Sequence, residues 1–226
     1  MEYPAVTNAV YPDGMGRRAT ISLIAILSSA PAHASVVTIA VNDGHGRPVA
    51  NAVVELTADL AAPAAENHVA AKAVIDQRHE TFLPLVSVIR KGGEVVFTNN
   101  DTTMHQVYSF SAIKQFQFEI DQGQRSQPVV FDKAGVASIG CNIHDQMITY
   151  VYVAASPNAA IADATGHVTF TVPPGAYHAA AWHPQLSPSS TMPQQAIAVS
   201  AAPVSAAFSL SLLPPPRMQA MHMGHY

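Results

Sequence analysis

Apolar and β-branched residues recur along this chain in short runs that are separated by turn-forming residues. The clearest runs are 36–41, 53–57, 94–98, 107–110, 136–139, 148–153, 167–172 and 176–182, and residues 197–213 alternate enough for two further strands. Short runs rich in Val, Ile, Thr and Tyr, bounded by Gly, Pro, Asn or Asp, are typical of β-strands. Sustained helical periodicity is absent. The pattern therefore predicts an all-β protein.

The order of the runs indicates two folding units, one of which is interrupted. Residues 35–58 contain two strands around a Gly-rich turn, and residues 159–212 contain several more. Neither block alone has enough strands to bury both faces of a sandwich. We therefore expect these two blocks to fold together, with a second unit at 72–155 inserted between them. Tandem independent domains are the alternative, and the Ala-rich residues 59–71 read as a connector.

The most informative chemistry lies in the segment from Cys141 to Met147. Cys141 is the only cysteine, His144 follows three residues later, and Met147 follows three residues after that. The run 136–139 precedes this segment and the run 148–153 follows it. A short loop between two strands can point three side chains at one place, and an ordered sheet holds them there.

A fourth candidate ligand, His105, follows the predicted strand at 94–98 and opens the next run. One cysteine, two histidines and a methionine are the ligand set of a blue-copper electron-transfer centre. A zinc site would more often use several cysteines or a carboxylate. The sequence therefore predicts one type 1 copper ion per chain, held by His105, Cys141 and His144, with Met147 as the weak axial ligand.

These residues resemble those of the cupredoxins. The pattern Cys-x2-His-x2-Met is similar to the ligand loop of amicyanin, and Asn99 precedes His105 by six residues as in amicyanin-like proteins. The chain resembles more closely the bacterial plastocyanin-like proteins labelled methylamine utilisation proteins, in segments 73–77, 105–111, 131–133 and 140–147. It departs from them at Gln146, where a bulky aromatic residue, usually Trp, is expected beside His144.

The resemblance implies a cupredoxin Greek-key β-sandwich that passes single electrons. It implies that Asn99 and backbone N–H groups bridge the two ligand loops near the thiolate, and we include Asn142 in this network. A redox protein, either a cytochrome c or a dehydrogenase, is the implied partner.

The outer blocks resemble a different family. The turn at 163–166 and the segment 173–177 fit the x-D-x-x-G and P-x-G-x-Y patterns of carboxypeptidase-regulatory-like β-sandwiches. That fold is a non-catalytic accessory fold, so it implies no peptidase. The chain also contains no G-x-S-x-G or H-E-x-x-H motif, and we expect it not to be an enzyme.

The N-terminal residues indicate export. Arg17 and Arg18 precede a short apolar stretch, and Ala32-His33-Ala34 fits a cleavage site after Ala34. Translation starting at Met15 would give a more ordinary signal peptide within residues 1–34. The apolar stretch is too short to span a bilayer. We therefore expect a periplasmic protein without a membrane span, in which copper would shield a thiol that has no disulfide partner.

Charge limits the partners. The chain has 11 Lys and Arg against 15 Asp and Glu, and removing residues 1–34 leaves the net charge at −4. A nucleic-acid partner is not expected, because it would require clustered basic residues. The oligomeric state is not predicted.

Two other functions compete with electron transfer. One is a periplasmic copper carrier or buffer, and the other is a copper-binding accessory module without an electron-transfer role. The Met- and His-containing tail at 213–226 mildly favours the carrier, since Met218, Met221, His222, Met223 and His225 could bind copper loosely. A flexible tail without such a role is the alternative. Neither His79 nor His183 is expected to be a ligand.

Overall fold

The computed structural model describes Met1 and residues 34–59 and 69–214, and the described residues form strands, turns and loops without a helix. The strands are β1 (Ser35–Asp43), β2 (Val53–Ala58), β3 (Ala70–Gln77), β4 (Phe82–Leu83), β5 (Val86–Asn99), β6 (His105–Ser111), β7 (Lys114–Ile120), β8 (Val129–Phe131), β9 (Gly135–Cys141), β10 (Ile148–Ala154), β11 (Ala159–Ile161), β12 (His167–Val172), β13 (Gly175–Trp182), β14 (Gln194–Val199) and β15 (Val204–Leu210). The all-β prediction is confirmed. The predicted signal peptide, most of the connector and nearly all of the tail lie outside the described residues.

The first and last parts of the chain share two sheets. One sheet has the order β12-β1-β15, and the other has the order β11-β2-β13-β14. β1 pairs antiparallel with β12 and parallel with β15, whereas β2 pairs antiparallel with β11 and β13. Alternate residues of both sheets enter one apolar cluster that includes Ile39, Leu56, Phe170, Tyr177 and Leu210. The two sheets therefore share a core, and the strands at 35–58 depend on partners more than 100 residues downstream.

The middle of the chain forms a separate eight-stranded arrangement. Seven strands follow the order β4-β3-β5-β10-β9-β6-β7, and β8 pairs with β5. Its apolar core includes Phe97, Phe131, Ile139 and Val151. The first half of β5 pairs with β10, and its second half pairs with β3 and β8. One long strand thereby contributes to both layers around this core.

Two glycines permit β5 to change partners. Gly92 has a φ of 79°, and a Cβ on Gly93 would lie 2.8 Å from the carbonyl oxygen of Arg90 and 2.9 Å from that of Ala71. The register between β3 and β5 also shifts between Ala70 and Lys72. A side chain at Gly93 would collide with backbone, so glycine is required where the strand bends.

A buried carboxylate joins the two parts of the molecule. Glu55 on β2 accepts hydrogen bonds from the Tyr152 hydroxyl at 2.7 Å and from the Ser156 backbone N–H. Trp182 packs against Tyr150 and Tyr152, with ring centroids 5.6 and 6.0 Å apart. Burial, together with the neighbouring Glu55 carboxylate, raises the pKa of Tyr152, so the phenol remains a hydrogen-bond donor at neutral pH.

Candidate metal centre

Cys141 is the last residue of β9, where the strand enters the predicted ligand loop. Its side chain is 2% exposed and has no disulfide partner. Its backbone N–H donates to the Met147 carbonyl at 3.3 Å, and the Met147 N–H donates to the His144 carbonyl at 2.9 Å. These two bonds close a tight loop whose ends are fixed by the pairing of β9 with β10. The strands at both ends of the loop agree with the prediction.

His105 is the first residue of β6 and approaches Cys141 from the neighbouring strand. Val107 of β6 pairs with Cys141, so the two strands bring these side chains together. The His105 ring is fully buried, and its Nδ1 lies 3.5 Å from the Cys141 Sγ. One ring nitrogen of His105, one of His144 and the Cys141 Sγ lie within 4.8 Å of one another. This group could hold a metal ion.

The other nitrogen of His105 faces a carboxylate. His105 Nε2 lies 3.2 Å from Asp101 Oδ2. Because a carboxylate can only accept, this contact favours the tautomer with the proton on Nε2. The lone pair of Nδ1 then faces the thiol. Metal-binding histidines commonly donate their outer N–H to a carboxylate in this way.

Hydrogen bonds to Asp101 keep its carboxylate charged. The Glu80 backbone N–H, the Thr102 backbone N–H and the His105 ring lower the pKa of Asp101, and its partial burial opposes them. The carboxylate is therefore ionised at neutral pH and available as an acceptor for His105.

The His144 ring is oriented like the His105 ring: its Nε2 faces a carboxylate, here that of Glu80, and its Nδ1 is buried. Its Nε2 lies 3.4 Å from Glu80 Oε1, and its side chain is 18% exposed. Its Nδ1 is buried and has no hydrogen-bond partner within the part of the chain that the structure describes. A buried nitrogen without a partner costs free energy unless something else binds it. Since the ring lies 5.2 Å from the His105 ring, centroid to centroid, a metal ion between the rings would satisfy this nitrogen.

Met147 is buried beside the same group. It is 2% exposed and belongs to the apolar cluster that includes Cys141, at the entrance to β10. A thioether is a soft, weak ligand that suits copper. The structure thus places all four predicted ligands at one end of the eight-stranded unit, and the three strongest donors converge.

Asn99 forms hydrogen bonds within the loop that leads to His105 and to the last residue of β7. Its side-chain N–H groups donate to the carbonyls of Thr103 and Ile120, both at 2.8 Å, and its Oδ1 accepts from the Asp101 N–H at 2.9 Å. None of these partners lies on the loop after Cys141. Asn99 therefore shapes the turn that leads to His105, and the bridge between the two ligand loops that the resemblance implies stays a prediction.

Asn142 and Gln106 connect the two ligand loops. The Asn142 N–H donates to the Gln106 carbonyl at 3.0 Å, and the Asn142 side-chain amide donates to Gln106 Oε1 at 2.7 Å. Each residue directly follows a predicted ligand. Because the two residues are exposed or half-buried, they hold the loops together from the outer side.

Sequence reasoning missed Asp101, Glu80 and Gln106. Asp101 carries a weak signal, since it is an acidic residue four positions before a candidate ligand. Glu80 carries none, because only the folded chain brings it beside Asp101 and His144.

The remaining histidine predictions have separate outcomes. His79 lies in a turn and outside the group of candidate ligands. His183 is buried at the end of β13, where its Nδ1 accepts from the Gln185 N–H at 3.1 Å, and burial lowers its pKa. The Met and His residues at 218–225 lie outside the described residues.

The structure shows the surface beside His144, where Gln146 stands in place of the aromatic residue that the resemblance leads us to expect. Gln146 is exposed, as is Ile143 on the other side of His144. This surface is therefore mixed rather than aromatic.

In the described part of the chain, no helix has the length and apolar character that crossing a membrane requires.

Comparison with known proteins gives partial structural neighbours. Neither the family models nor the curated proteins include a match. A purple cupredoxin from Nitrosopumilus maritimus is 25% identical, covers 36% of this chain and 99% of its own, and has a TM-score of 0.34. An amicyanin from Paracoccus versutus is 23% identical over 44% of this chain and 97% of its own, with a TM-score of 0.33. A Cu(I) structure of an amicyanin mutant is 19% identical over 44% of this chain and 98% of its own, with a TM-score of 0.33.

Proposed function

We propose that this chain is a type 1 copper protein that carries single electrons between redox partners. Cys141, His105 and His144 supply the three strong donors, and Met147 supplies the weak axial one. The observation that carries the proposal is the buried convergence of the Cys141 Sγ with the His105 Nδ1, beside a His144 Nδ1 to which the described residues offer no hydrogen-bond partner.

The chemistry of the donors favours copper. A structural zinc site usually has four strong ligands, whereas this group combines one thiolate, two imidazoles and a thioether. Bound copper would accept and release one electron. The residues hold their positions by strand pairing, by the hydrogen bond between His105 and Asp101, and by the contact between His144 and the Glu80 carboxylate. A site that changes shape little between oxidation states would exchange electrons with little reorganisation.

We propose His144 as the path by which electrons leave. The rings and sulfur atoms of His105, Cys141 and Met147 are buried, whereas His144 is partly exposed on a surface loop. A partner protein at this surface would come closest to the metal through the His144 ring. A cytochrome c or a dehydrogenase is the proposed class of partner.

The first test is spectroscopic. Loading the mature chain, residues 35–226, with Cu(II) is expected to give an intense thiolate-to-copper band in the visible absorption spectrum. The electron paramagnetic resonance spectrum is expected to show a narrow copper hyperfine splitting. Both features are expected to disappear in Cys141→Ser, because serine offers no thiolate. Circular dichroism of the two proteins checks that the variant is folded. A pale protein with an ordinary tetragonal Cu(II) signal that Cys141→Ser leaves unchanged would overturn the proposal.

A copper carrier or buffer is the second candidate. The observation that favours it is the run of Met and His at 218–225. Electron transfer predicts reversible cycling with copper retained and rapid exchange with a small cytochrome. Delivery predicts that Cu(I) passes to a competing chelator within functional times. An accessory module without electron transfer would show neither behaviour.

The wider setting is also part of the proposal. Residues 1–34 would direct export to the periplasm, with cleavage after Ala34. Electron carriage without a chemical transformation of a substrate means that the protein would not be an enzyme.

We further propose that residues 72–155 form a unit inserted into a carboxypeptidase-regulatory-like sandwich. The pairing of β1 and β2 with β11, β12, β13 and β15 supports this arrangement. Limited proteolysis is expected to keep residues 36–58 and 159–212 together, even after cleavage between them. A stable fragment that contains 36–58 and lacks 159–212 would contradict the inserted arrangement.

A further inference from the structure

The turn between β3 and β4 has an unusual backbone. Arg78 and Thr81 exchange backbone hydrogen bonds of 3.0 and 3.1 Å, which leaves His79 and Glu80 at the centre of a two-residue turn. Both central residues have a φ of 52°. Such turns are usually built from Asn, Asp and Gly, because other side chains disfavour positive φ. Strained residues persist where surrounding contacts hold them, often at functional sites.

Glu80 is linked to the outer side of both histidines. Its backbone N–H donates to Asp101 Oδ2 at 2.7 Å, and the same oxygen lies 3.2 Å from His105 Nε2. Its carboxylate oxygen lies 3.4 Å from His144 Nε2. One residue is therefore linked to the outer nitrogen of each ring, once through Asp101 and once directly.

The link to His105 is reinforced by further hydrogen bonds, whereas the link to His144 consists of one contact. Additional hydrogen bonds tie the His105 loop to β3, from the Asn100 N–H to the Gln77 carbonyl at 2.9 Å and from the Asn100 side chain to Asp76 at 2.6 Å. Among the described residues, the Glu80 carboxylate lies at the outer nitrogen of the His144 ring, and the other ring nitrogen has no hydrogen-bond partner. His144 lies on a partly exposed loop, and the half-exposed Glu80 carboxylate lies at its outer nitrogen.

We propose that Glu80 is a positioning residue that keeps the Nδ1 of His144 turned inward. The inference rests on the proposed function, because it takes this Nδ1 as a metal donor. The strained turn places the carboxylate of Glu80 at His144 while its backbone N–H fixes Asp101. Without the carboxylate, the ring would rotate toward solvent for part of the time, and the site would lose a strong ligand.

Three variants of the full chain separate the carboxylate from the turn. Glu80→Gly removes the carboxylate, keeps the backbone N–H and suits the positive φ. Glu80→Gln keeps an acceptor oxygen. His79→Gly relaxes the same turn without touching either link, and it serves as the matched control.

Three quantities are measured: the Zn(II) affinity of the metal-free protein, the rate at which a chelator removes Cu(I), and the electron paramagnetic resonance spectrum of the Cu(II) protein. Loss of a residue that orients a ligand typically weakens metal binding 10- to 100-fold, and we expect Glu80→Gly to weaken Zn(II) binding about 10-fold and to speed Cu(I) release similarly. Glu80→Gln is expected to recover most of the loss, and His79→Gly is expected to match the wild type.

Two results would overturn the positioning role. One is a Glu80→Gly protein that matches the wild type in all three readouts. The other is an equal loss in both glycine variants, which would assign the effect to the turn instead of the carboxylate. Failure of the proposed function looks different: the wild type would lack the thiolate-to-copper band, although Glu80→Gly still weakened Zn(II) binding. A wild type that binds neither metal would overturn both.

Discussion

Replacing Asp101 with alanine is expected to weaken metal binding by about 10- to 100-fold, the usual effect of losing a residue that orients a ligand. Asp101 accepts at one oxygen from both the Glu80 N–H at 2.7 Å and the His105 ring at 3.2 Å. Without it, His105 loses the partner that keeps its proton on Nε2, and the fully buried ring is left with an unsatisfied N–H. The affinity of the metal-free protein for Zn(II) and Cu(I), measured by competition with a chelator, checks this.

Asparagine is not a conservative substitute for Asp101. The second oxygen of Asp101, Oδ1, accepts from the Thr102 N–H at 3.1 Å, so both carboxylate oxygens face donors. An amide would turn one donor toward another, and Asp101→Asn is expected to lose most of the affinity that Asp101→Ala loses. Asp145→Ala is the matched control, because it removes an exposed carboxylate next to His144. Equal losses in Asp101→Ala and Asp145→Ala would mean that charge near the site, not the hydrogen bond to His105, sets the affinity.

The sequence reveals the strands and the donors of the loop after β9 because both are local features. Alternation and β-branched runs predict β9 and β10, and the short loop between them fixes the spacing of Cys141, His144 and Met147. His105 is identifiable because it also begins a strand. For these residues, the strand ends determine where the side chains meet.

The residues that orient the ligands cannot be read in the same way. Glu80 and Asp101 are 21 positions apart, and their contact exists only because the turn after β3 lies against the loop after β5. An exposed acidic residue in a turn has no pattern that distinguishes it from an ordinary surface residue. The role of Asn99 shows a related limit, since its position in the sequence suggested its importance but not its partners.

The junction between the two parts of the molecule was also invisible in the sequence. A Glu within the apolar run 53–57 reads as the outward position of an alternating strand. In the structure Glu55 is buried, and Tyr152, 97 residues downstream, donates a hydrogen bond to its carboxylate. Only the packing of β10 against β2 turns this position from a solvent-facing one into an internal acceptor.

Replacing Glu55 with alanine is expected to lower the free energy of unfolding by about 3 kcal/mol. Two buried donors, the Tyr152 hydroxyl and the Ser156 N–H, lose their acceptor, and each unsatisfied donor costs about 1–3 kcal/mol. Breaking a buried polar contact from one side is costly even where replacing both sides is not. Urea unfolding of metal-free protein, followed by circular dichroism, measures the change.

Tyr152→Phe and the double variant separate the hydrogen bonds from simple loss of packing. Tyr152→Phe removes one donor and leaves Glu55 bonded to Ser156, so its cost is expected to be about 1 kcal/mol. In the double variant the orphaned hydroxyl no longer exists, and the total loss is expected to be about 1 kcal/mol or more below the sum of the single losses. Additive losses would show that Glu55 and Tyr152 are not coupled. In that case the buried carboxylate would stabilise the junction mainly through Ser156, and the hydroxyl of Tyr152 would contribute little to holding β10 against β2.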